Sequence, residues 1–213
     1  MGAAESVCRN VDKRTSRREH REVFIGAIQD YRQQGGKPFA HGRSPSPEAA
    51  GADSSRAIQV CVRKRPMFEH EWKQEKEFDV ITTDASRVAI HDARMQADMR
   101  RMFMNHHEFG YNAVFGDQAD NDQVYAGTAA PLVREAASGG HAAVMMYGQT
   151  GSGKTYTMSA IYERAAAELF ETVGADAVAR GAVVVTTTFV ELAGDICESS
   201  PWRDCHFADI PSP

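Results

Sequence analysis

The stretch MMYGQTGSGKTYTM, residues 145–158, constrains the fold more than any other part of the chain. Gly148, Gly153, Lys154 and Thr155 stand in it at the spacing G-x-x-x-x-G-K-[ST]. A loop of this kind wraps its backbone N–H groups inward around phosphates, in conformations that a Cβ obstructs, so it needs glycine at several positions. Gly148, Gly151 and Gly153 meet that need. The motif also demands a strand before the loop and a helix after it, whose positive dipole end faces the anion. Both flanks comply: HAAVMMY (141–147) reads as an apolar strand after Gly139-Gly140, and Lys154 to about Val173 reads as a helix.

The residues divide the chemistry among themselves. Lys154 offers positive charge to β- and γ-phosphates, Thr155 offers a hydroxyl ligand to Mg²⁺, and the intervening backbone supplies N–H donors. The candidate phosphate site is therefore Gly148, Gln149, Thr150, Gly151, Ser152, Gly153, Lys154 and Thr155. The bland alternative is a glycine-rich strand-to-helix turn that holds no nucleotide.

Strands and helices alternate around this loop. AIQVCVRKRP alternates Ile58, Val60 and Val62 with Gln59, Cys61 and Arg63, and Pro66 stops the strand. Weaker strand signals follow at 78–83 (FDVITT), 87–92 (RVAIHD) and 109–115 (FGYNAVF). Asp120 to Ala137 reads as a helix that Pro131 should kink. Val183 to Leu192, VVVTTTFVEL, is β-branched and aromatic and reads as a further strand. The pattern predicts an α/β fold of the P-loop NTPase type, a central and mostly parallel sheet flanked by helices.

Upstream, RNVDKRTSRREHR (9–21) is basic, and Val23, Phe24, Ile28 and Tyr31 then recur at roughly helical spacing. This piece reads either as a short basic helix or as a solvated arm. Residues 35–55 turn to Gly, Pro, Ser and Ala, a linker composition that carries too little apolar surface to order itself.

Bulk composition excludes several classes. With 213 residues, 42% hydrophobic and 25% charged, the chain can bury one good core and part of a second. A net charge of −5 gives no basic excess of the kind that nucleic-acid binders carry. Cys8, Cys61, Cys197 and Cys205 form no C-x-x-C pair, so reduced cytosolic thiols are the simplest assignment. The first residues lack the apolar core of a leader, and no apolar run reaches the about 20 residues that cross a bilayer.

The flanks of the loop identify a resemblance. YGQTGSGKTYTM is similar to the phosphate loop of the kinesin motor domain, with its Y-G-Q-T-x-[ST]-G-K-T-x-T-M string. VCVRKRP resembles that family's first core strand with its R-x-R-P adenine motif, and FGYNAVFGDQADNDQVY resembles its F-x-F-D-x-V-F…Q-x-x-V-Y segment, with Asn112 where Asp is frequent. The likeness runs from about Ile58 to Cys197 and implies ATP with Mg²⁺ as cofactors and microtubules or tubulin as partner, in the cytoplasm on the cytoskeleton. Position by position, it implies that Arg63, Arg65 and Pro66 border the adenine and that Tyr156, where His is common, stacks near it. A guanidinium and an aromatic ring can both meet the π-face of a purine.

Lys64 between the two arginines, and a basic segment ending in IQDYRQQ ahead of a linker, resemble the internal-motor, microtubule-depolymerising kinesins. In that subfamily a basic neck meets the acidic tubulin surface, a role that Lys13, Arg14, Arg17, Arg18 and Arg21 could take by electrostatics. The Lys-Val-Asp tip of the subfamily's extended loop has only Gln96-Ala97-Asp98 as its counterpart, which speaks against depolymerisation.

Hydrolysis in this family also needs two switch stretches, N-x-x-S-S-R-S-H and D-L-A-G-x-E. The first occurs nowhere, and FVELAGD (189–195) imitates the second only in letters. One helix separates it from the loop, so it fits better the family's F-x-E-I-Y-N strand, with a substitute Mg²⁺ site at Glu191 as the lesser reading. The expected layout is a neck-like arm at 1–34, a linker at 35–56, the N-terminal part of a kinesin motor fold at 57–200 and an irregular tail at 201–213. Two functions follow: an ATP-driven microtubule motor, incomplete in this chain, or a module that binds nucleotide or tubulin without turnover. A GTPase reading is weakened by the lack of an N-K-x-D string.

Overall fold

The structure, a computed structural model, describes residues 13–33, 58–95, 102–174, 181–188, 190–193 and 196–199. The expected linker, the Gln96-Ala97-Asp98 tip and the tail from 201 onward lie outside these residues. The described residues fall into two compact units that divide between Asp120 and Asn121.

The first unit opens with two helices, α1 (Lys13–Glu19) and α2 (Arg21–Gln33), so the basic segment is helical where it is described. Strand β1 (Cys61–Arg63) follows, then the short helix α3 (Glu69–Lys73) and strands β2 (Ile81–Thr83), β3 (Arg87–Met95), β4 (Met102–Gly110) and β5 (Ala113–Phe115). β2, β3 and β4 form an antiparallel sheet whose long hairpin pairs Arg87 with Gly110 and Met95 with Met102. The sequence pattern ends this strand near Asp92; the ladder carries it through the polar pair Asp92 and Asn105 to Met95. Cross-strand pairing, which is non-local, therefore overrides the weak periodicity.

β1 and β5 pair in parallel, Val62 opposite Val114. Asn112 holds the entry to this pair: its side-chain oxygen accepts the Val60 N–H at 2.8 Å, and its own N–H donates to the Val60 carbonyl at 3.0 Å. The core lies between α2 and the three-stranded sheet. Phe24, Ile28 and Phe78 are buried together, and Ile25, Val80, Ala93, Met102 and Met104 pack around them. Phe24 and Phe78 stack with ring centroids 6.0 Å apart. The i, i+4 spacing of Phe24 and Ile28 places both on the helix face that meets the sheet.

The second unit holds α4 (Asn121–Thr128), α5 (Ala130–Ala137), α6 (Lys154–Val173) and the hairpin β6 (Val190–Ala193) and β7 (Ile196–Ser199). The expected kink at Pro131 is a one-residue interruption: α4 ends at Thr128, Ala129 stays in the right-handed helical region, and the proline falls in the first turn of α5, where its missing N–H costs no helical bond. Tyr125, Ala129, Ala130 and Ile161 form the buried cluster, with Val133, Met146, Met158 and Ala165 packed against it. The Tyr125 hydroxyl donates to Glu168 at 2.6 Å, and Arg134 donates to the same carboxylate at 3.0 Å.

Two strand expectations are corrected here. HAAVMMY is irregular and pairs with no strand among the described residues; Met146 packs inward while Met145 is 92% and Tyr147 97% exposed. Residues 184–188 are likewise without strand pairing, and the described strand is Val190–Ala193. The physical reason is common to both. An apolar, β-branched run forms a strand only where a neighbour takes up its N–H and C=O groups, and periodicity cannot supply that neighbour. β6 and β7 do find each other, antiparallel, with Leu192 opposite Cys197. Glu191, Leu192 and Ala193 therefore lie on a hairpin strand, in keeping with the strand reading, and Gly194 and Asp195 lie outside the described residues.

Candidate phosphate site

The glycine loop leads directly into α6. Gly151 has φ 81° and Gly153 φ 92°, left-handed conformations that L side chains rarely adopt. Gly153 is the residue before the first helical turn, and its carbonyl accepts the Thr157 N–H at 3.1 Å. Inside the loop the Ser152 N–H donates to the Gln149 carbonyl at 3.2 Å, closing a tight turn. A Cβ added at Gly148 would stand 2.6 Å from the Ser152 hydroxyl, so a side chain there would force Ser152 to shift.

Lys154 folds back over this turn. Its ammonium donates to the Gly148 carbonyl at 2.7 Å and to the Gln149 carbonyl at 3.0 Å. The positive charge is thus held at the mouth of the loop by two neutral acceptors, with no carboxylate partner among its hydrogen bonds. The helix sorts its faces by the 3.6-residue period: Thr157, Ala160 and Ile161 are buried, while Thr155 and Tyr156 are exposed at its start. The first N–H groups of any helix lack intrahelical partners and carry the positive end of its dipole. A lysine ammonium, left-handed glycines, an exposed threonine hydroxyl and a helix start converge here, and together they suit a polyphosphate with its divalent cation.

The expected adenine residues have a different setting. Arg63, Arg65 and Pro66 stand in the first unit and Tyr156 in the second. Arg63 donates to the Ala119 carbonyl at 3.2 Å. Lys64 lies 2.8 Å from Asp79 and 3.8 Å from Asp117. The Arg65 guanidinium forms a two-pronged pair with Glu71, at 2.6 and 3.0 Å, donates to the Pro66 carbonyl at 3.0 Å and lies over the Phe68 ring at 4.3 Å.

Sequence reasoning missed Glu71. Arg65 first, and then the Phe68 N–H that donates to it at 2.7 Å, draw its carboxyl down to about 2. The available signal was a glutamate in the first turn of a helix, where it reaches back to the preceding backbone N–H.

The basic arm has partners within its own unit. Arg17 is 3.5 Å from Glu77, Arg18 is 2.9 Å from Glu77 and 3.5 Å from Glu75, and Arg21 pairs with Glu22 at 3.0 Å and donates to the Trp72 carbonyl at 3.4 Å. Arg17 and Arg18 hold the helices to their own unit through Glu75 and Glu77, and Arg21 does so through the Trp72 carbonyl. The side chains of Lys13 and Arg14 lie outside the described residues.

Comparison with known proteins decides the family. The family model for the kinesin motor domain matches residues 63–197, more than half of the chain. The chain belongs to the kinesin motor domain family. It is 34% identical over 148 residues to "Diatom spindle kinesin-1" of Cylindrotheca fusiformis, which covers 69% of this chain and 23% of that relative. It is 38% identical over 120 residues to "Kinesin-like protein KIF24" of Mus musculus, covering 53% of the chain and 9% of the relative. With "Kinesin-like protein KIN-13A" of Oryza sativa subsp. japonica it shares 39% over 113 residues, 53% of the chain and 14% of the relative. The chain therefore spans less than a quarter of each of these kinesins. Family membership carries the P-loop NTPase fold with it, and the mixed α/β elements with their parallel β1–β5 pair agree. No described helix is long and apolar enough to cross a membrane.

Proposed function

We propose that this chain is the ATP-binding part of a kinesin motor. In the complete motor, ATP binding and hydrolysis would drive work on microtubules, in the cytoplasm on the cytoskeleton. The observation that carries the reading is Lys154, held on the Gly148 and Gln149 carbonyls at the start of α6 within the family's loop string. Lys154 holds positive charge toward the β- and γ-phosphates, and the loop N–H groups receive phosphate oxygens. Thr155 would hold Mg²⁺ through its hydroxyl, and the ion when bound would offset the phosphate charge. These residues stabilise the charge that develops as water attacks the γ-phosphate in line. The adenine roles of Arg63, Arg65, Pro66 and Tyr156 rest on the family resemblance alone, and Arg65 is braced by Glu71.

A second reading, nucleotide binding without turnover, is favoured by two observations: neither switch string occurs in the 213 residues, and Glu191 lies on a hairpin strand. Steady-state ATP turnover by the purified chain, with and without microtubules and with Lys154→Ala as control, separates the two. Microtubule-stimulated turnover lost in the variant overturns the second reading. Tight ATP binding with no turnover overturns hydrolysis by this chain. A depolymerising role draws its support from Lys64 between the two arginines and from the basic segment ahead of the linker. Tubulin release from stabilised microtubules tests it.

A further inference from the structure

We propose that the last turn of α2 is fastened to the sheet of the first unit by a proton-sensitive latch, built from His91 and His106, which loosens as the pH falls below neutrality. His91 on β3 stands directly opposite His106 on β4 in the antiparallel register. Their Nδ1 atoms are 2.7 Å apart, and His91 Nε2 is 2.7 Å from the Thr82 hydroxyl of β2. His91 is 1% exposed. Tyr31 of α2 closes over the pair, stacked on the His106 ring at 4.4 Å and edge-on to His91 at 4.7 Å. Its hydroxyl donates to Glu108. The next residue, Arg32, donates to the Thr82 hydroxyl at 2.9 Å, to Asp79 at 2.8 Å and to the Ile81 carbonyl at 3.2 Å.

Two ring nitrogens at this distance share a single hydrogen: one N–H donates and the other nitrogen accepts. A second proton would set N–H against N–H and place two positive charges side by side. The docked pair therefore accepts at most one proton. The groups that face it set the balance. From α2 come Tyr31 and Arg32, from β2 Thr82 with Asp79 just before it, from β3 Arg87 near Tyr31, and from β4 His107 and Glu108. Burial, then His106 and then Arg32, bring His91 down to about 4 against the pull of Asp79. Burial lowers His106 as well, with Glu108 opposing and His107 adding to the effect.

The sign follows from proton uptake. When the last turn lifts, the rings meet water and return toward 6.5, so the lifted state binds more protons than the docked one. Docking is at full strength above that value and weakens as the pH falls toward about 4. The loss reaches about tenfold per pH unit for each proton taken up. Phe24 and Ile28 are buried deeper in the core, so the loosening stays at the Tyr31 end of the helix. No residue of the phosphate loop takes part.

The test is amide hydrogen exchange along α2 in the full chain, corrected for intrinsic rates, at about pH 7.5 and about pH 5.5. Protection at Asp30–Gln33 should fall by about tenfold or more relative to Val23–Ile28, and the double variant His91→Gln/His106→Gln, which leaves no titrating ring in the latch, should remove most of that fall. Equal protection at both pH values, or the same fall in His91→Gln/His106→Gln as in the parent chain, overturns the latch. Should that variant not fold, ring titrations of His91 and His106 by NMR in the parent chain decide it. Midpoints below the ordinary histidine range for both support the latch, and an ordinary midpoint for either overturns it.

Discussion

The two units close their apolar surfaces by different means. In the first, β2, β3 and β4 are sequence neighbours joined antiparallel, and α2 lies over them with Phe24 and Ile28 in the core. In the second, the helices pack on one another through Tyr125, Ala129, Ala130 and Ile161, while the apolar runs at 141–147 and 184–188 stand outside any ladder among the described residues. The difference teaches where strand formation comes from. A hairpin brings its own partner along the chain, whereas a strand of parallel type takes partners from far away in sequence. The same β-branched, apolar composition therefore gives a ladder in one unit and exposed chain in the other.

The contrast can be broken by truncating each surface in turn. Phe24→Ala should destabilise the first unit by about 3–5 kcal/mol, because it empties a filled site between α2 and Phe78. Met145→Ala should change stability by less than about 0.5 kcal/mol, because that side chain contributes little buried surface. Urea denaturation of the two variants measures both, and comparable losses would end the distinction between a closed and an open surface. The next largest effect concerns the phosphate loop. Lys154→Ala should weaken ATP binding by about 100-fold, the loss of a charge-assisted contact of about 3 kcal/mol, as read by calorimetry. The unfolding of the first unit should not move.

Smaller effects sharpen the comparison from within each unit. Tyr125→Phe removes the hydrogen bond to Glu168 that ties α4 to α6, and should cost about 1 kcal/mol in the second unit alone. Burial and that same bond push the Tyr125 hydroxyl up to about 12. The tyrosine should therefore stay protonated in alkali that ionises exposed tyrosines, a difference that ultraviolet difference spectra record. In the first unit, Glu71 sits at about 2 in the folded chain, below the ordinary carboxylate range, so its pairing contributes at neutral pH and is lost as the pH falls toward that value. Arg65→Ala should return the Glu71 titration, followed by carboxyl NMR, close to the ordinary range. A midpoint still near 2 would show that the Phe68 N–H alone holds the carboxylate.

Legibility in the sequence differed by kind of element. The long helix from Lys154 to Val173 was readable because its period is local and glycines bound it on both sides. The interruption at Pro131 was readable because a ring without an N–H acts on its own turn. The strands at HAAVMMY and at 184–188 were misread, since composition reports only that a run could pair. The full length of the hairpin through Asp92 and Asn105, and the meeting of His91 with His106, depend on register, which no short window contains. The arm's arginines looked available for an external acidic surface because Glu75 and Glu77 are distant in sequence and adjacent only in the fold.

The candidate site shows the same division. The string from Gly148 to Thr155, the kinesin family and the helix that follows the loop were determined by sequence alone, because a phosphate cradle depends on backbone conformations and side chains at fixed short spacing. Tertiary structure decided which charges are already engaged. It set Lys154 on two loop carbonyls, closed Arg65 on Glu71 and tied Arg18 and Arg32 to Glu77 and Asp79. Coulombic and hydrogen-bonded partners are chosen by distance in space, and the chain's order gives no measure of that distance until its apolar surfaces have closed.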